Sequence, residues 1–218
     1  MTNKDFDQIH KKIISLGPSI IKKVTMAIKK ELGIGGTLSD YKVVWNELQE
    51  IAAPQIESIL SKSFPDCKIT ITESKSTYPD VRMEYKKFVI AIDIKSSESA
   101  KDPWYDIARL DTIIKNRINK YDEEYELVVK YDSRTKKFIK IFFETLRDTV
   151  GFNPKSGGVK FRPYDGKLRP KTWKEFDSGK TYWSTKKRFL EGVEKSRKYR
   201  WKELLRGFSK EELGEFLD

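Results

Sequence analysis

A short apolar segment that ends in two charged residues places the strongest constraint on the fold. In "FVIAIDIKSS", residues 88–97, only Asp93 interrupts the apolar run before Lys95. Side chains alternate between the two faces of a β-strand, so Asp93 and Lys95 are expected to share one face, opposite Ile94. Because a charged pair is costly to bury without a partner, the strand predicts either a surface ion pair or a functional site at its end.

A second acid, Asp80, favours a functional site. Pro79 cannot continue a strand ladder, and the run after it can pair with the apolar strand through a hairpin at "EYKK". That hairpin brings Asp80 beside Asp93, and two neighbouring carboxylates repel each other unless a cation lies between them. Two carboxylates that hold Mg2+, with Lys95 to orient or help deprotonate the attacking water, are suited to hydrolysis of a phosphodiester.

The charge of the chain points to a phosphate-rich partner. Its 218 residues carry a formal net charge of +11 at pH 7. Lys and Arg that neutralise a phosphate backbone release its counterions, which favours binding. A nucleic acid is therefore the expected partner, although basic proteins without a nucleic-acid role also exist.

Several classes of site and location are disfavoured by composition. The single cysteine, Cys67, rules out an internal disulfide, and the single histidine, His10, argues against a Ser-His-Asp triad and His-rich zinc sites. No apolar stretch approaches the roughly 18 residues of a membrane span, and the N-terminus lacks the apolar centre of a signal peptide. We therefore expect a cytoplasmic protein with no membrane partner.

Hydrophobic periodicity predicts an α/β (α+β) chain with a mixed central β-sheet flanked by helices. The expected helices cover residues 3–32 with a break at Gly17-Pro18, about 39–62 with a kink at Pro54, and about 103–120, with "GIGG" at 33–36 as the end of the first. The expected strands are 67–72, 80–85, 87–95, 125–131 and 137–145.

The C-terminal part of the chain is basic and differs in composition from the rest. Residues 151–180 are rich in Gly, Pro and Lys, and residues 181–206 are expected to form a basic helix. Residues 151–174 are the expected base-reading loop, and "ESKST" at 73–77 is the substitute if that loop only binds the DNA backbone. The alternative is an ordinary surface loop with solvated lysines. The expected DNA contacts are Asn153, Lys155, Gly157, Gly158, Lys160, Arg162, Lys167, Arg169, Lys186, Lys187 and Arg188.

The spacing of these residues resembles a known family. Pro79-Asp80 followed by Asp93-Ile94-Lys95 resembles the signature of the PD-(D/E)XK nucleases. "YPD" and "AIDIKSS" across a short hairpin are similar to the EcoRV-like, blunt-cutting type II restriction endonucleases, and the C-terminal half is similar to related blunt cutters such as SwaI. The resemblance implies a restriction-endonuclease-like fold, a homodimer on duplex DNA, and Mg2+ held by Asp80, Asp93 and the backbone carbonyl of Ile94.

Family members usually add an acid from the preceding helix. The position that aligns without gaps is Gln49, so Glu47 is the preferred acid because it lies nearer the apolar stripe, with Glu50 as the alternative. A second match to the signature, Pro65-Asp66 with Glu84 and Lys86, is rejected because no apolar strand precedes that pair to give it a rigid base.

The sequence predicts one nuclease domain over residues 1–218. Residues 1–36 are expected to form a helical segment available for a dimer contact, and residues 151–206 to recognise DNA. The expected activity is that of a type II enzyme of a restriction-modification system: Mg2+-dependent double-strand cleavage at a palindromic site, with blunt ends. Two alternatives are a Holliday-junction or repair nuclease on the same scaffold and a non-catalytic DNA-binding module.

Overall fold

A computed structural model describes residues 3–31, 41–72, 77–100, 102–117, 119–132, 134–135 and 137–207. Five strands form one mixed sheet in the order β1-β2-β3-β4-β5, in which only β3 and β4 are parallel neighbours. The strands are β1 Lys68–Ile71, β2 Val81–Tyr85, β3 Phe88–Glu98, β4 Glu123–Asp132 and β5 Lys137–Thr145. The predicted α/β class, with a mixed sheet flanked by helices, is confirmed.

Two long helices pack on each other and on one side of the sheet. They are α1 Asn3–Glu31 and α2 Tyr41–Ser63, and α1 lies against β5 while α2 lies against β1 and β3. Their apolar stripes bury residues such as Ile20 and Ile56 in the same core as Ile90 of β3. Removing these side chains from water stabilises each of them by about 1.5–3 kcal/mol, which holds the helices in place.

The predicted break in the first helix is wrong. Helix α1 runs through Gly17-Pro18, because Ile13 and Ile20 on either side are fully buried. Proline removes one helical hydrogen bond, and packing of the apolar face outweighs that loss. Gly17 also lies against the ring of Phe143, where an added Cβ would come within 3.3 Å. Residues 33–36 and 73–76 lie outside the described residues.

Shorter elements cover the other side of the sheet around a second apolar core that includes Val128, Phe142 and Trp173. The elements are α3 Leu110–Thr112, a π-helical turn Ile113–Arg117, α4 Leu146–Thr149, β6 Phe152–Asn153, β7 Gly158–Val159, α5 Trp173–Asp177, α6 Lys186–Leu204 and a 3-10 turn Leu205–Gly207. No helix in the described part of the chain has the length and hydrophobicity that crossing a bilayer requires.

The helix predicted over residues 103–120 is mostly wrong. Only Leu110–Arg117 is helical, and residues 102–109 are extended or irregular. The backbone there bonds to other parts of the chain: the Trp104 N–H donates to Ser97 Oγ at 2.7 Å, and the Ala108 carbonyl accepts from Leu168 N at 2.7 Å. Tertiary hydrogen bonds therefore replace the helical ones that the sequence pattern suggested.

Candidate active site

Three neighbouring strands bring three carboxyl groups together. Strands β2 and β3 form a hairpin in which Val81 opposes Ile92, so the next position places Asp80 opposite Asp93. Strand β4 adds Glu126, which is the parallel register partner of Asp93. The exposed fractions of Asp80, Asp93 and Glu126 are 6%, 4% and 1%. The result is a buried row of acids across the sheet.

Asp80 is fixed by backbone hydrogen bonds around it. Its Oδ2 accepts from the Ile94 amide at 2.5 Å, and its carbonyl accepts from Thr72 N at 2.9 Å. Burial and the adjacent charge of Asp93 raise the pKa of Asp80 to about 8, although the Ile94 hydrogen bond opposes this. A carboxyl group held in this way binds either a proton or a cation near neutral pH.

Lys95 pairs with Asp93 on the same face of β3, as the alternation of side chains predicts. Its Nζ lies 2.6 Å from Asp93 Oδ2, and both side chains are largely buried. Burial lowers the pKa of Lys95, but the charges of Asp93 and Glu126 outweigh burial, so the net change is upward. In this arrangement Lys95 is a cation, suited to donating hydrogen bonds to a water or a phosphate rather than to accepting a proton.

Glu126 is a candidate site residue that the sequence analysis missed. The Tyr105 hydroxyl donates to its Oε2 at 3.2 Å. Burial raises the pKa of Glu126 to about 7, an effect that Lys95 opposes and Asp93 reinforces. The only sequence signal was one acid inside the largely apolar "YELVVKY", and its relevance depends on the register of β3 and β4.

The loop before Asp80 is anchored by an aromatic and ionic cluster. The Tyr78 hydroxyl donates to Glu124, and the guanidinium of Arg117 lies 3.3 Å from the centre of the Tyr78 ring. Arg117 Nε is 2.9 Å from Glu124 Oε2 but lacks the angle of a hydrogen bond. Burial raises the pKa of Tyr78 well above its usual range, and Glu124 adds to this, so the hydroxyl keeps its proton. The cluster holds the segment that carries Asp80.

Helix α2 presents the amide of Gln49 toward β1 and the site. Gln49 is buried, and its Nε2 donates to the Thr72 carbonyl at 3.3 Å, next to the backbone of Asp80. Glu50 is exposed. The backbone of Glu47 belongs to α2, but its side chain lies outside the described residues.

Three basic residues predicted to bind DNA belong to an ion cluster within the protein. Arg162 pairs with Asp165 through two hydrogen bonds, and Lys167 donates to Asp106. Arg169 is only 3% exposed; its Nη1 lies 2.9 Å from Asp106 and donates to the Tyr105 carbonyl at 3.0 Å. The prediction that Arg169 faces DNA is thus not met, because internal acceptors hold it inside.

Gly157 and Gly158, the two glycines predicted to approach DNA, lie in different environments. Gly158 is buried against α6, where an added Cβ would lie 2.3 Å from the Gly192 carbonyl, so its small size serves internal packing. Gly157 has a positive φ of 64° and open space around it.

The other predicted DNA contacts differ in exposure. Lys155, Lys187 and Arg188 are exposed, whereas Asn153 and Lys160 are half-buried. Lys186 is half-buried and donates to the carbonyls of Tyr121 and Asp122 at 2.8 and 3.2 Å. Three basic residues of the predicted set are therefore exposed.

Two exposed aromatic residues accompany the ion cluster and were also missed. Trp104 is 62% and Tyr164 is 72% exposed. The guanidinium of Arg162 lies 4.6 Å from the Tyr164 ring centre and 5.9 Å from that of Trp104. Trp104 directly precedes Tyr105 in the chain, and the Tyr105 hydroxyl donates to Glu126.

The donor set suits a hard cation. Asp80, Asp93 and the Ile94 carbonyl offer oxygen ligands, and Mg2+ usually takes one or two carboxylates and keeps several waters. The fit rests on the two facing carboxyl groups: burial and the charge of Asp93 raise the pKa of Asp80, and a cation beside the pair would favour the ionised form. Across the described residues there is no group of three or more His, Cys, Asp or Glu arranged for a metal ion.

The rejected match to the signature is also apart from this site. Glu84 is paired with Arg82 at 2.9 Å on a partly exposed surface, and Lys86 lies in the hairpin turn with a φ of 57°.

Comparison with protein-family models and with curated proteins finds no match to this chain.

Proposed function

We propose that the protein is a Mg2+-dependent DNA endonuclease of the type II restriction class, with a restriction-endonuclease-like fold. The single observation that carries this proposal is the convergence of Asp80, Asp93 and Lys95 at one buried position of the sheet. Two carboxylates and an ammonium suit phosphodiester hydrolysis better than they suit passive packing, since an unneutralised pair of buried acids destabilises the fold.

The residues have separate roles in the proposed reaction. Asp80, Asp93 and the Ile94 carbonyl would hold Mg2+, which when bound supplies positive charge to offset the charge that the phosphate gains in the transition state. Lys95, protonated beside Asp93, donates a hydrogen bond that orients the attacking water in line with the scissile bond. Its ammonium also stabilises the charge that develops on the phosphate oxygens.

The net charge and the exposed basic residues support duplex DNA as the substrate. Lys155, Lys187 and Arg188 are exposed and would neutralise phosphates, a contact that holds DNA without reading its sequence. A palindromic site is read most simply by a two-fold dimer. Helix α1 exposes Ile14 and Met26, which makes it a suitable dimer contact.

A plasmid digest tests the proposal. Purified protein with Mg2+ is expected to convert a large unmethylated plasmid library into discrete fragments, and sequencing of their ends gives the site and the cut positions. Cleavage only of four-way junctions would replace the restriction assignment with junction resolution. A gel shift with no cleavage of any DNA would show that the protein is a non-catalytic DNA-binding module.

The control for that digest is the same protein with Asp93→Asn. Contaminating nucleases would cut equally in both preparations, whereas cleavage by this protein is expected only in the unaltered one. Fragments that persist with Asp93→Asn would show that the activity has another source.

A further inference from the structure

The aromatic side chains of Trp104 and Tyr164 lie on the surface around one guanidinium. Tyr164 is 72% exposed, more than any other large hydrophobic residue in the described part of the chain, and Trp104 is 62% exposed. The Arg162 guanidinium lies within 5.9 Å of both ring centres. Apolar area that stays in water contributes little to folding, so the exposed ring surface is available for a ligand.

Trp104 rests with one face on a buried cation. The Arg169 guanidinium lies 3.7 Å from the Trp104 ring centre. Arg169 is itself held inside by Asp106 and the Tyr105 carbonyl. The Trp104 N–H donates to Ser97 Oγ at 2.7 Å, which fixes the backbone as well. Because one face is covered, most of the exposed area belongs to the opposite face, which is a flat aromatic surface of fixed orientation.

Tyr164 lies at the tip of a turn, residues 162–167, that other parts of the protein hold in place. The Arg162 N–H donates to the Lys167 carbonyl at 2.8 Å, which closes the turn. From helix α6, Arg200 donates to the Tyr164 carbonyl at 3.2 Å and to the preceding carbonyl at 2.9 Å. A backbone that is ordered before binding loses little conformational entropy when a ligand arrives, so the exposed ring is preorganised for contact.

The charges beside the rings favour a partner that carries negative charge. The ion cluster contains three cations, Arg162, Lys167 and Arg169, and only two acids, Asp106 and Asp165, so one positive charge is in excess. An unpaired nucleobase joins a flat π face to a phosphate, so it matches both the rings and this charge. Within a duplex both faces of a base are covered by its neighbours, which leaves stacking on a side chain to unpaired bases.

We propose that Trp104 and Tyr164 form a stacking site for unpaired bases of a DNA strand. One base stacks on the open face of Trp104 and a second on the Tyr164 ring, and the excess positive charge attracts the phosphates. Any base can be bound in this way, since every base has a π face. The choice of DNA rests on the proposed function, whereas the stacking itself needs no cleavage chemistry.

The first experiment separates stacking from charge. Fluorescence anisotropy at constant ionic strength compares an oligothymidylate of about 12 nucleotides with an abasic strand of the same length. The two probes carry the same number of phosphates and differ in their bases. The unaltered protein is expected to bind the oligothymidylate at least about tenfold more tightly. Equal affinities would overturn the proposal.

Variants at the two positions assign that difference to the rings. Trp104→Leu and Tyr164→Leu keep apolar bulk but remove the aromatic face, and each is expected to weaken oligothymidylate binding about fivefold to tenfold without changing the affinity for the abasic strand. Trp104→Phe and Tyr164→Phe restore an aromatic ring and are expected to bind at least about threefold more tightly than the Leu variants. Leu variants that bind as well as the unaltered protein would show that no base stacks there.

Tyr164→Leu keeps the test decisive if Trp104→Leu disturbs the ion cluster beneath its ring. The Tyr164 side chain is mostly in water, so its loss is expected to leave the Tm unchanged. Self-association is measured on the same variants by light scattering. A loss of self-association with no change in oligothymidylate affinity would assign the rings to a protein interface and overturn the proposal.

The outcomes also separate this site from the proposed nuclease. Ring-dependent binding of the oligothymidylate by a protein that cuts no DNA would remove the nuclease function and leave the stacking site. Site-specific cleavage by a protein that binds both strands equally would do the reverse.

Discussion

The Oδ2 atom of Asp80 accepts a hydrogen bond from the backbone N–H of Ile94 at 2.5 Å. This side-chain bond lies just past Val81↔Ile92, the last pair of β2 and β3, and takes the place of the next rung of the ladder. It therefore holds the Asp80 carboxyl over the strand that carries Asp93 and Lys95. The carbonyl of the same residue, Ile94, is the backbone oxygen that would bind the proposed cation.

Catalysis is expected to require the two acids and the lysine together. Asp93→Asn should lower the single-turnover cleavage rate at least about a thousandfold, because a metal ligand and the Lys95 partner are both lost. DNA affinity should stay the same or rise, since a negative charge near phosphate is removed. Quenched-flow cleavage and gel shifts with Ca2+ measure the two quantities.

Lys86→Ala is the control for this series, because Lys86 lies in the turn at the far end of the β2–β3 hairpin. It is expected to cut at the unaltered rate. Near-normal cleavage by Asp80→Ala or Lys95→Ala would refute the assignment of the site.

Metal binding is expected to stabilise the protein, by an amount that rises with the logarithm of the affinity. Saturating Mg2+ or Ca2+ should raise the Tm, and the rise should vanish in Asp80→Asn and Asp93→Asn because each removes an oxygen ligand and its charge. Differential scanning calorimetry with and without EDTA measures this. Lys86→Ala should show the same rise in Tm as the unaltered protein, and neither Asn variant should show a rise. Full cleavage activity in excess EDTA would contradict the proposed metal requirement.

Stability without metal is expected to fall as the pH rises from about 4 to about 8. Burial and the charge of Asp93 raise the pKa of Asp80 to about 8, compared with 3.8 for a free aspartate. Below the lower pKa, Asp80 is protonated in both the folded and the unfolded state. Between the two pKa values only the folded state keeps the proton, so rising pH favours the unfolded state and lowers the free energy of unfolding. Above about pH 8 that loss is complete.

Asp80→Asn removes this dependence. Between pH 4 and pH 8.5 the variant is expected to gain on the order of 2 kcal/mol in unfolding free energy relative to the unaltered protein, measured by urea denaturation in EDTA. The raised pKa of Glu126 acts in the same direction and remains in both proteins, so only the difference reports on Asp80. Parallel pH curves for the two proteins would show that Asp80 titrates normally.

The exposed and the buried basic residues of the C-terminal part should behave differently. Replacing Lys155, Lys187 or Arg188 by Ala should weaken binding to all DNA sequences and reduce the salt slope by about one per lost phosphate contact. Arg169→Ala should instead lower stability, because it leaves the Tyr105 carbonyl without this donor and removes one of the cations paired with Asp106. Salt-dependent anisotropy and thermal melts separate the two effects, and a loss of affinity without loss of Tm in Arg169→Ala would contradict the burial.

Gly158 is expected to tolerate no side chain. Gly158→Ala would place a Cβ 2.3 Å from the Gly192 carbonyl, so β7 or α6 must move, at about 1–3 kcal/mol of stability. The Cβ of Gly157→Ala would meet no neighbour, so only the strain of the left-handed backbone should lower stability, by about 1 kcal/mol. Urea denaturation of both variants gives the comparison. A milder effect at Gly158 than at Gly157 would mean that the hairpin and α6 are not packed as described.

Local pattern was enough to predict the strands and the pairing of Asp93 with Lys95. Alternation on a strand is a property of the backbone, so residues two apart share a face in any sheet. The turn at Lys86-Lys87 followed from the short interval between two apolar runs, and it carried Asp80 to Asp93. These features needed no knowledge of the rest of the chain.

Tertiary structure alone decided what surrounds that pair. Glu126 joins the site only because β4 lies parallel to β3 in one register, and a crossover of some 25 residues leaves that register unspecified in the sequence. Arg169 reads as a surface cation, yet Asp106 and the Tyr105 carbonyl hold it inside. Residues 103–109 are not helical as predicted, for the same reason: hydrogen bonds between distant segments compete with local ones, and only the assembled fold brings those partners within reach.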